Sequence, residues 1–309
     1  MHVGIVGTGR LGRAIAFALL EEWYVDEMSL ADIAPGLAAA VEEELRHAAS
    51  AMGRDVEFHS YEDSSEISGA DILIVVAGKP RTADMSRRDL AEFNGKVMRN
   101  VAESVYPNNK GAKYVVVTNP VDAMATLFWR VTRAEYVIST GTHLDSVRFR
   151  SELAKKLGVP VSRVEAYVAG EHGPNSVFLW SMTKVDGHPV EEYASSRGLE
   201  LDKSGVEAAV KEVARKVIAR LGATIYGPAA SFREIVRSIA LNQGRVLSVA
   251  SPLKIGGVKV CVGVPQKVAR SLGPTLLGML AEEERRSIEE AAKAIHETYL
   301  AAARSAGLE

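Results

Sequence analysis

The first dozen residues combine an apolar run, a glycine-spaced turn and an amphipathic stretch, an order that few folds accept. Residues 3–6 read as a buried strand, Gly7-Thr8-Gly9-Arg10-Leu11-Gly12 follows at once, and helical periodicity runs over 11–22. The G-x-G-x-x-G spacing has a mechanical meaning. The first glycine makes a tight turn, the second lets the backbone approach a pyrophosphate, and the third brings helix and strand close. The helix start then offers backbone N–H groups to the phosphates. Asp32 follows twenty residues after Gly12, at the end of the next apolar run, where a carboxylate can hold a ribose hydroxyl. Dinucleotide binding is the reading, with Gly7, Thr8, Gly9, Arg10, Leu11, Gly12 and Asp32 as its contacts.

The alternation continues to residue 141. Residues 3–6, 28–31, 72–77, 114–118 and 136–139 read as strands, and 11–22, 37–51, 90–106 and 121–131 as helices. This order predicts an α/β fold, a doubly wound parallel sheet of the Rossmann type. The runs at 72–76 and 115–117 do not alternate with polar residues and suit central strands covered on both faces. Beyond Gly141 the rhythm changes. A helix over 144–157, a strand over 165–169 and a hairpin at 185–189 precede long helices at 204–221 and 230–241. Paired strands at 245–250 and 258–264 and a last helix over 280–303 complete the chain. The expected division is a dinucleotide-binding domain over 1–141 and a mixed α+β substrate domain over 142–309.

Composition narrows the partners. The chain of 309 residues is 47% hydrophobic and 25% charged, the balance of an ordinary globular protein. Its 37 basic and 39 acidic residues leave a net charge of -2, without a block of one sign, so no nucleic acid and no anionic membrane is expected as a partner. No apolar run reaches the roughly 18 residues a membrane span needs. The N-terminus lacks the charged segment of a secretory leader. The single cysteine, Cys261, allows neither an intramolecular disulfide nor a thiolate zinc site. The expectation is a cytoplasmic protein acting on a small molecule, without a metal.

Three further segments carry chemistry. The loop from Gly78 to Leu90 leaves the carboxyl end of a strand, where open α/β sheets bind ligands. Its Arg81, Arg87 and Arg88 serve either to solvate a surface loop or to meet an anion. In Gly141-Thr142-His143-Leu144-Asp145-Ser146-Val147-Arg148, Thr142-x-x-Asp145 has the outline of a capping box, while Asp145 and Arg148 share a helix face at i and i+3. Gly170-Glu171-His172-Gly173-Pro174 sets a histidine between glycines on a strand-exit loop, either unremarkable or exposed in a cleft.

Taken together, and with Asn119-Pro120-Val121-Asp122, these segments resemble the lactate/malate dehydrogenase family along the whole chain. The resemblance implies hydride transfer at C2 of a 2-hydroxy acid. It makes His172 the general acid/base and Asp145 the carboxylate that fixes its tautomer. Arg148 becomes the clamp on the C1 carboxylate and Arg87 the group that polarises the reacting carbonyl. It adds Ala77, Gly78, Asn94 and Asn119 to the cofactor contacts, places Asn119 also on the substrate, and puts Thr224, on a later helix, in the pocket wall. Arg81 stands six residues before Arg87, where members acting on malate carry arginine and lactate enzymes glutamine, so (S)-malate/oxaloacetate is the implied substrate. Lactate or another 2-hydroxy acid is the alternative, and a non-catalytic dinucleotide-sensing module a remote one. Ala83-Asp84 and Pro174 depart from the family pattern. The cofactor is NAD or NADP: Asp32 opposes a 2′-phosphate, while Arg10 could approach one. A homotetramer or homodimer is implied, with the helices over 37–51 and 204–221 as possible faces.

Overall fold

A computed structural model describes residues 1–80 and 85–308, with Arg87 described in its backbone alone. Six strands, β1 (His2–Val6), β2 (Glu27–Ala31), β3 (Glu57–Tyr61), β4 (Ile72–Val75), β5 (Lys113–Val116) and β6 (Val137–Ser139), lie in the order β3-β2-β1-β4-β5-β6. Every neighbouring pair among them is parallel. Parallel neighbours need crossovers, which α1 (Arg10–Leu20), α2 (Leu37–Met52), α3 (Arg87–Val105) and α4 (Val121–Thr132) supply. The central β1 and β4 are buried at every position, as the unbroken apolar run of β4 requires. Strand order reverses between β1 and β4, which opens a crevice beyond their carboxyl ends. β3, absent from the sequence reading, is an edge strand in which Phe58 alone is buried.

The rest of the chain extends the same sheet with antiparallel strands. In order it forms α5 (Gly141–Leu157), β7 (Val164–Glu165), β8 (Val168–Gly170), β9 (Ser176–Phe178), β10 (Lys184–Val185), β11 (His188–Pro189), α6 (Val190–Ser195) and α7 (Lys203–Leu221). Then come α8 (Tyr226–Ala240), β12 (Arg245–Ile255), β13 (Val258–Val268), β14 (Leu272–Thr275) and α9 (Glu282–Ser305). The large sheet continues from β6 through β12, β13, β8 and β9, with β14 on β13; β7, β10 and β11 form a small sheet of their own. The single strand expected over 165–169 is therefore two strands in two sheets. Of the two readings of Thr142-x-x-Asp145, the capping box is absent: Thr140 is the N-cap of α5 and makes no side-chain capping bond. Thr142 Oγ1 donates to the Ser248 carbonyl, 3.0 Å away on β12.

One face of the parallel strands packs on α1, α2 and α8, with Ile15, Leu19, Phe232 and Ile235 in its core. The other packs on α3, α4 and α9, with Met98, Phe128, Tyr299 and Ala302. Two late helices thus close the early sheet, and the hydrophobic cores cross residue 141. Among the described residues no helix is long and apolar enough to cross a membrane.

Charge adds a further tie. Glu234 on α8 accepts from His143 Nε2 of α5 at 2.9 Å and pairs with Arg245 of β12 at 2.7 Å and Arg150 of α5 at 3.4 Å. Burial works against its charge, but these partners outweigh it and hold the carboxyl at about 2, below its ordinary 4.5. A depressed carboxyl stabilises the fold above its unfolded value and loses that contribution as pH falls through the folded one. Glu234→Gln should therefore cost of order 3 kcal/mol at pH 7, and its melting temperature should converge on that of the wild type between pH 4.5 and 2. Paired thermal melts across that window check this; a gap undiminished at pH 2 would assign the cost to packing instead.

Candidate active site

The phosphate loop is built by steric necessity. Gly7 turns with φ +99°, and a Cβ there would lie 2.6 Å from the Ala77 nitrogen at the exit of β4. A Cβ on Gly12 would meet the Gly7 carbonyl at 1.9 Å, so only glycine brings α1 this close to β1. Gly9, the N-cap of α1, has no atom within 4 Å of where a Cβ would stand and no side chain capping the helix. That opening in front of a helix N-terminus fits a pyrophosphate. Asp32 accepts Thr8 N–H at 2.7 Å and Ala34 N–H at 3.0 Å, so the carboxylate expected at the ribose also braces the loop. Leu11 lies half-buried against the first core. Arg10 is exposed, and its Nη1 lies 3.2 Å from where a Cβ on Gly222 would stand. Gly222 is the C-cap of α7, an end that attracts cations.

Asn94, expected among the cofactor contacts, is a fully buried clamp. It accepts Lys79 N–H at 2.8 Å and donates to the carbonyls of Lys79 and Asn119 at 3.1 and 2.7 Å. It thereby ties the Ala77–Gly78 exit to the loop before α4, while the Asn119 residue itself is exposed. Gly78 packs on Asn94 and on the Thr118 methyl. The Asn119–Pro120 peptide is cis.

From that loop the chain of bonds runs on to His172. Asp122 on α4 is 2% exposed and accepts His172 N–H at 2.7 Å and the Ser139 hydroxyl at 2.6 Å. His172 Nδ1 meets Asp145 Oδ2 at 2.7 Å, and Arg148 Nη1 donates to Asp145 Oδ1 at 3.2 Å. The i and i+3 face on α5 thus brings the three side chains together. Gly141 has a site role that sequence reasoning missed. A Cβ there would stand 2.3 Å from the His172 Cβ and 2.4 Å from its Cγ, so the ring rests on the bare first turn of α5. The ring is 23% exposed and the Arg148 side chain 15%, which keeps both within reach of a ligand. Burial lowers the proton affinity of His172, but Asp145 and then Asp122 outweigh it and raise its pKa above the usual value, against opposition from Arg148.

Other expectations change or fall outside view. Thr224 lies on the loop between α7 and α8, not on a helix. Arg88 pairs with Glu92 at 2.9 Å on the exposed side of α3. Arg87 opens α3; its side chain, together with Arg81 and Asp84, lies outside the described residues. Asp122 is a further residue of the site that the sequence alone does not reveal. Its partners are 17 and 50 residues away, and no local spacing announces them.

A phosphate loop at the switch point of the sheet, together with a His–Asp couple, defines a dinucleotide-binding oxidoreductase. Residues 1–137 match the lactate/malate dehydrogenase NAD-binding domain and residues 142–299 the alpha/beta C-terminal domain of the same family. The chain is 41% identical to a malate dehydrogenase of Sulfolobus acidocaldarius, over 97% of this chain and 96% of that one. It is 34% identical to an L-lactate dehydrogenase of Thermus aquaticus, over 95% and 96%. Among solved structures, malate dehydrogenase of Archaeoglobus fulgidus in complex with NADH superposes with a TM-score of 0.88 at 31% identity, covering 99% of this chain and 100% of the other. The chain belongs to the lactate/malate dehydrogenase family.

Proposed function

We propose that the protein interconverts (S)-malate and oxaloacetate with a nicotinamide dinucleotide. The observation that carries this is the His172–Asp145 couple at 2.7 Å with Arg148 on the same carboxylate. When bound, the dinucleotide supplies or accepts the hydride at C2. Gly7, Gly9, Gly12 and Asp32 would hold it, with Asn119 at its reactive end. His172 gives its Nε2 proton to the carbonyl oxygen in reduction and takes it back in oxidation. Asp145 fixes the tautomer through Nδ1 and stabilises the imidazolium. Arg148 spends one donor on Asp145 and keeps others for the C1 carboxylate. Arg87, the first residue of α3, polarises the carbonyl, and Arg81 pairs with the second carboxylate. The relative in Sulfolobus acidocaldarius, a malate dehydrogenase, supports the dianion reading over lactate.

NAD is the cofactor this reading favours. Asp32 stands where a 2′-phosphate would meet a like charge, and Arg10 is drawn toward the end of α7. Like charges placed together cost upward of a kcal/mol, so kcat/KM with NAD should exceed that with NADP by about tenfold or more. Initial rates with the two cofactors check this, and an NADP preference would remove Asp32 as the discriminator. We also place the protein in the cytoplasm as a homotetramer or homodimer. The α7 stripe is buried at Val206 and Val210 but leaves Ile218 49% and Leu221 66% exposed, an apolar end suited to a second copy.

A further inference from the structure

We propose that Asp122 is a positioning residue for His172: its buried carboxylate fixes the histidine loop through the His172 N–H and lends the imidazole a second negative charge besides that of Asp145. This rests on the acid–base role given to His172 above. Asp122 is the second residue of α4, where the helix dipole favours an anion. Its Oδ1 accepts the Ser139 hydroxyl at the end of β6 and its Oδ2 the His172 N–H on the loop after β8. One side chain therefore joins the cofactor-side loop, the last parallel strand and the histidine loop. Any shift of α4 is felt at the ring that Asp145 holds from the other side.

The surroundings of this carboxylate are close to closed. Glu171 faces it from the histidine loop, the buried thiol of Cys261 from β13, and the Asp145–Arg148 pair on α5 lies beyond His172. From α9, Ile295 and Thr298 line the small pocket that Asp122, Glu171 and His172 share. Burial drives the Asp122 carboxyl up to about 6, with the Ser139 hydroxyl and the His172 N–H pulling it back and Glu171 pushing it further. Asp122 therefore carries its charge where His172, raised above its usual 6.5, exchanges its proton. Losing that charge loosens the loop and withdraws support from the imidazolium together.

Asp122→Asn is the informative change. The amide oxygen can still accept His172 N–H, and the Ser139 hydroxyl can rotate to accept from the amide nitrogen. Geometry is kept and the charge is removed. The His172 titration is followed by NMR of the ring carbons, assigned with His172→Asn. It should move down by about one pH unit in D122N, and the alkaline limb of kcat/KM for oxaloacetate reduction should move with it. A folded D122N whose His172 titrates as in the wild type overturns the proposal. Should D122N fail to fold, Ser139→Ala retains the carboxylate and its bond to His172 but removes its other donor. The His172 midpoint should then move in the same direction by less, and no movement overturns the proposal. A wild type without oxaloacetate activity would sink the functional reading alone, because the ring titration is read in the free protein.

Discussion

Replacing His172 with asparagine is expected to cut oxaloacetate reduction by roughly 10²–10⁴, the scale of general acid/base catalysis, while cofactor affinity and folding stay in place. The ring is 23% exposed and lies on the first turn of α5, so the smaller amide opens no sealed core cavity. What disappears is the proton at Nε2. The raised pKa of His172 also fixes the direction of the pH dependence. Reduction needs the imidazolium and falls as pH rises through that value; oxidation of malate needs neutral imidazole and rises through it. The same shift stabilises the fold below the unfolded value of about 6.5 and is lost as pH climbs through the folded one, opposite in sign to Glu234. Absorbance at 340 nm reads turnover, and nucleotide titration reads binding. A variant with wild-type turnover would remove His172 from the mechanism.

How far the sequence reaches depends on whether a signal is local. The phosphate loop is local: Gly7 and Gly12 answer clashes with Ala77 and with Gly7 itself, Gly9 leaves open space before the helix, and the spacing alone reveals it. Two segments with the same outline show the opposite case. Ser86-x-x-Asp89 closes a full capping box and starts α3 at Arg87, three residues before the apolar periodicity that marks Leu90 as its beginning. Thr142-x-x-Asp145 has the same form, yet Thr142 bonds to β12 and Asp145 to His172. Partners distant in sequence decided between them, and no window of four residues contains that information. The apolar run near 164–169 was legible as extended chain. Its division between two sheets follows from pairing with β10 and with β13. Edge strand β3 is hard to read because Phe58 is the one position it buries. His172, Asp145 and Arg148 were identified by family resemblance and stand together in the structure. Asp122 belongs to the same set of motifs, but its bonds to Ser139 and His172 become visible only once α4, β6 and the histidine loop are in place.

Changing Arg81 to glutamine should redirect the substrate preference. Arg81 precedes Arg87 by six residues on the loop that leaves β4, and that loop is anchored at Lys79 by the Asn94 clamp. Oxaloacetate carries a second carboxylate, and Arg148 serves the first, so the distal charge needs a cation of its own once water has left. Removing one partner of a desolvated charge pair costs on the order of 2–5 kcal/mol. Reduction of oxaloacetate should then fall by roughly 30- to several-thousand-fold in kcat/KM. Pyruvate has a methyl group at that end and asks nothing of Arg81; its kcat/KM should hold or rise as an unpaired guanidinium leaves the site. The ratio of the two constants should move toward pyruvate by about tenfold or more. Equal losses on both substrates would mean that Arg81 serves closure of the loop or the fold in general. Arg81 would then no longer support a dianionic substrate, and lactate would be the substrate to assay next.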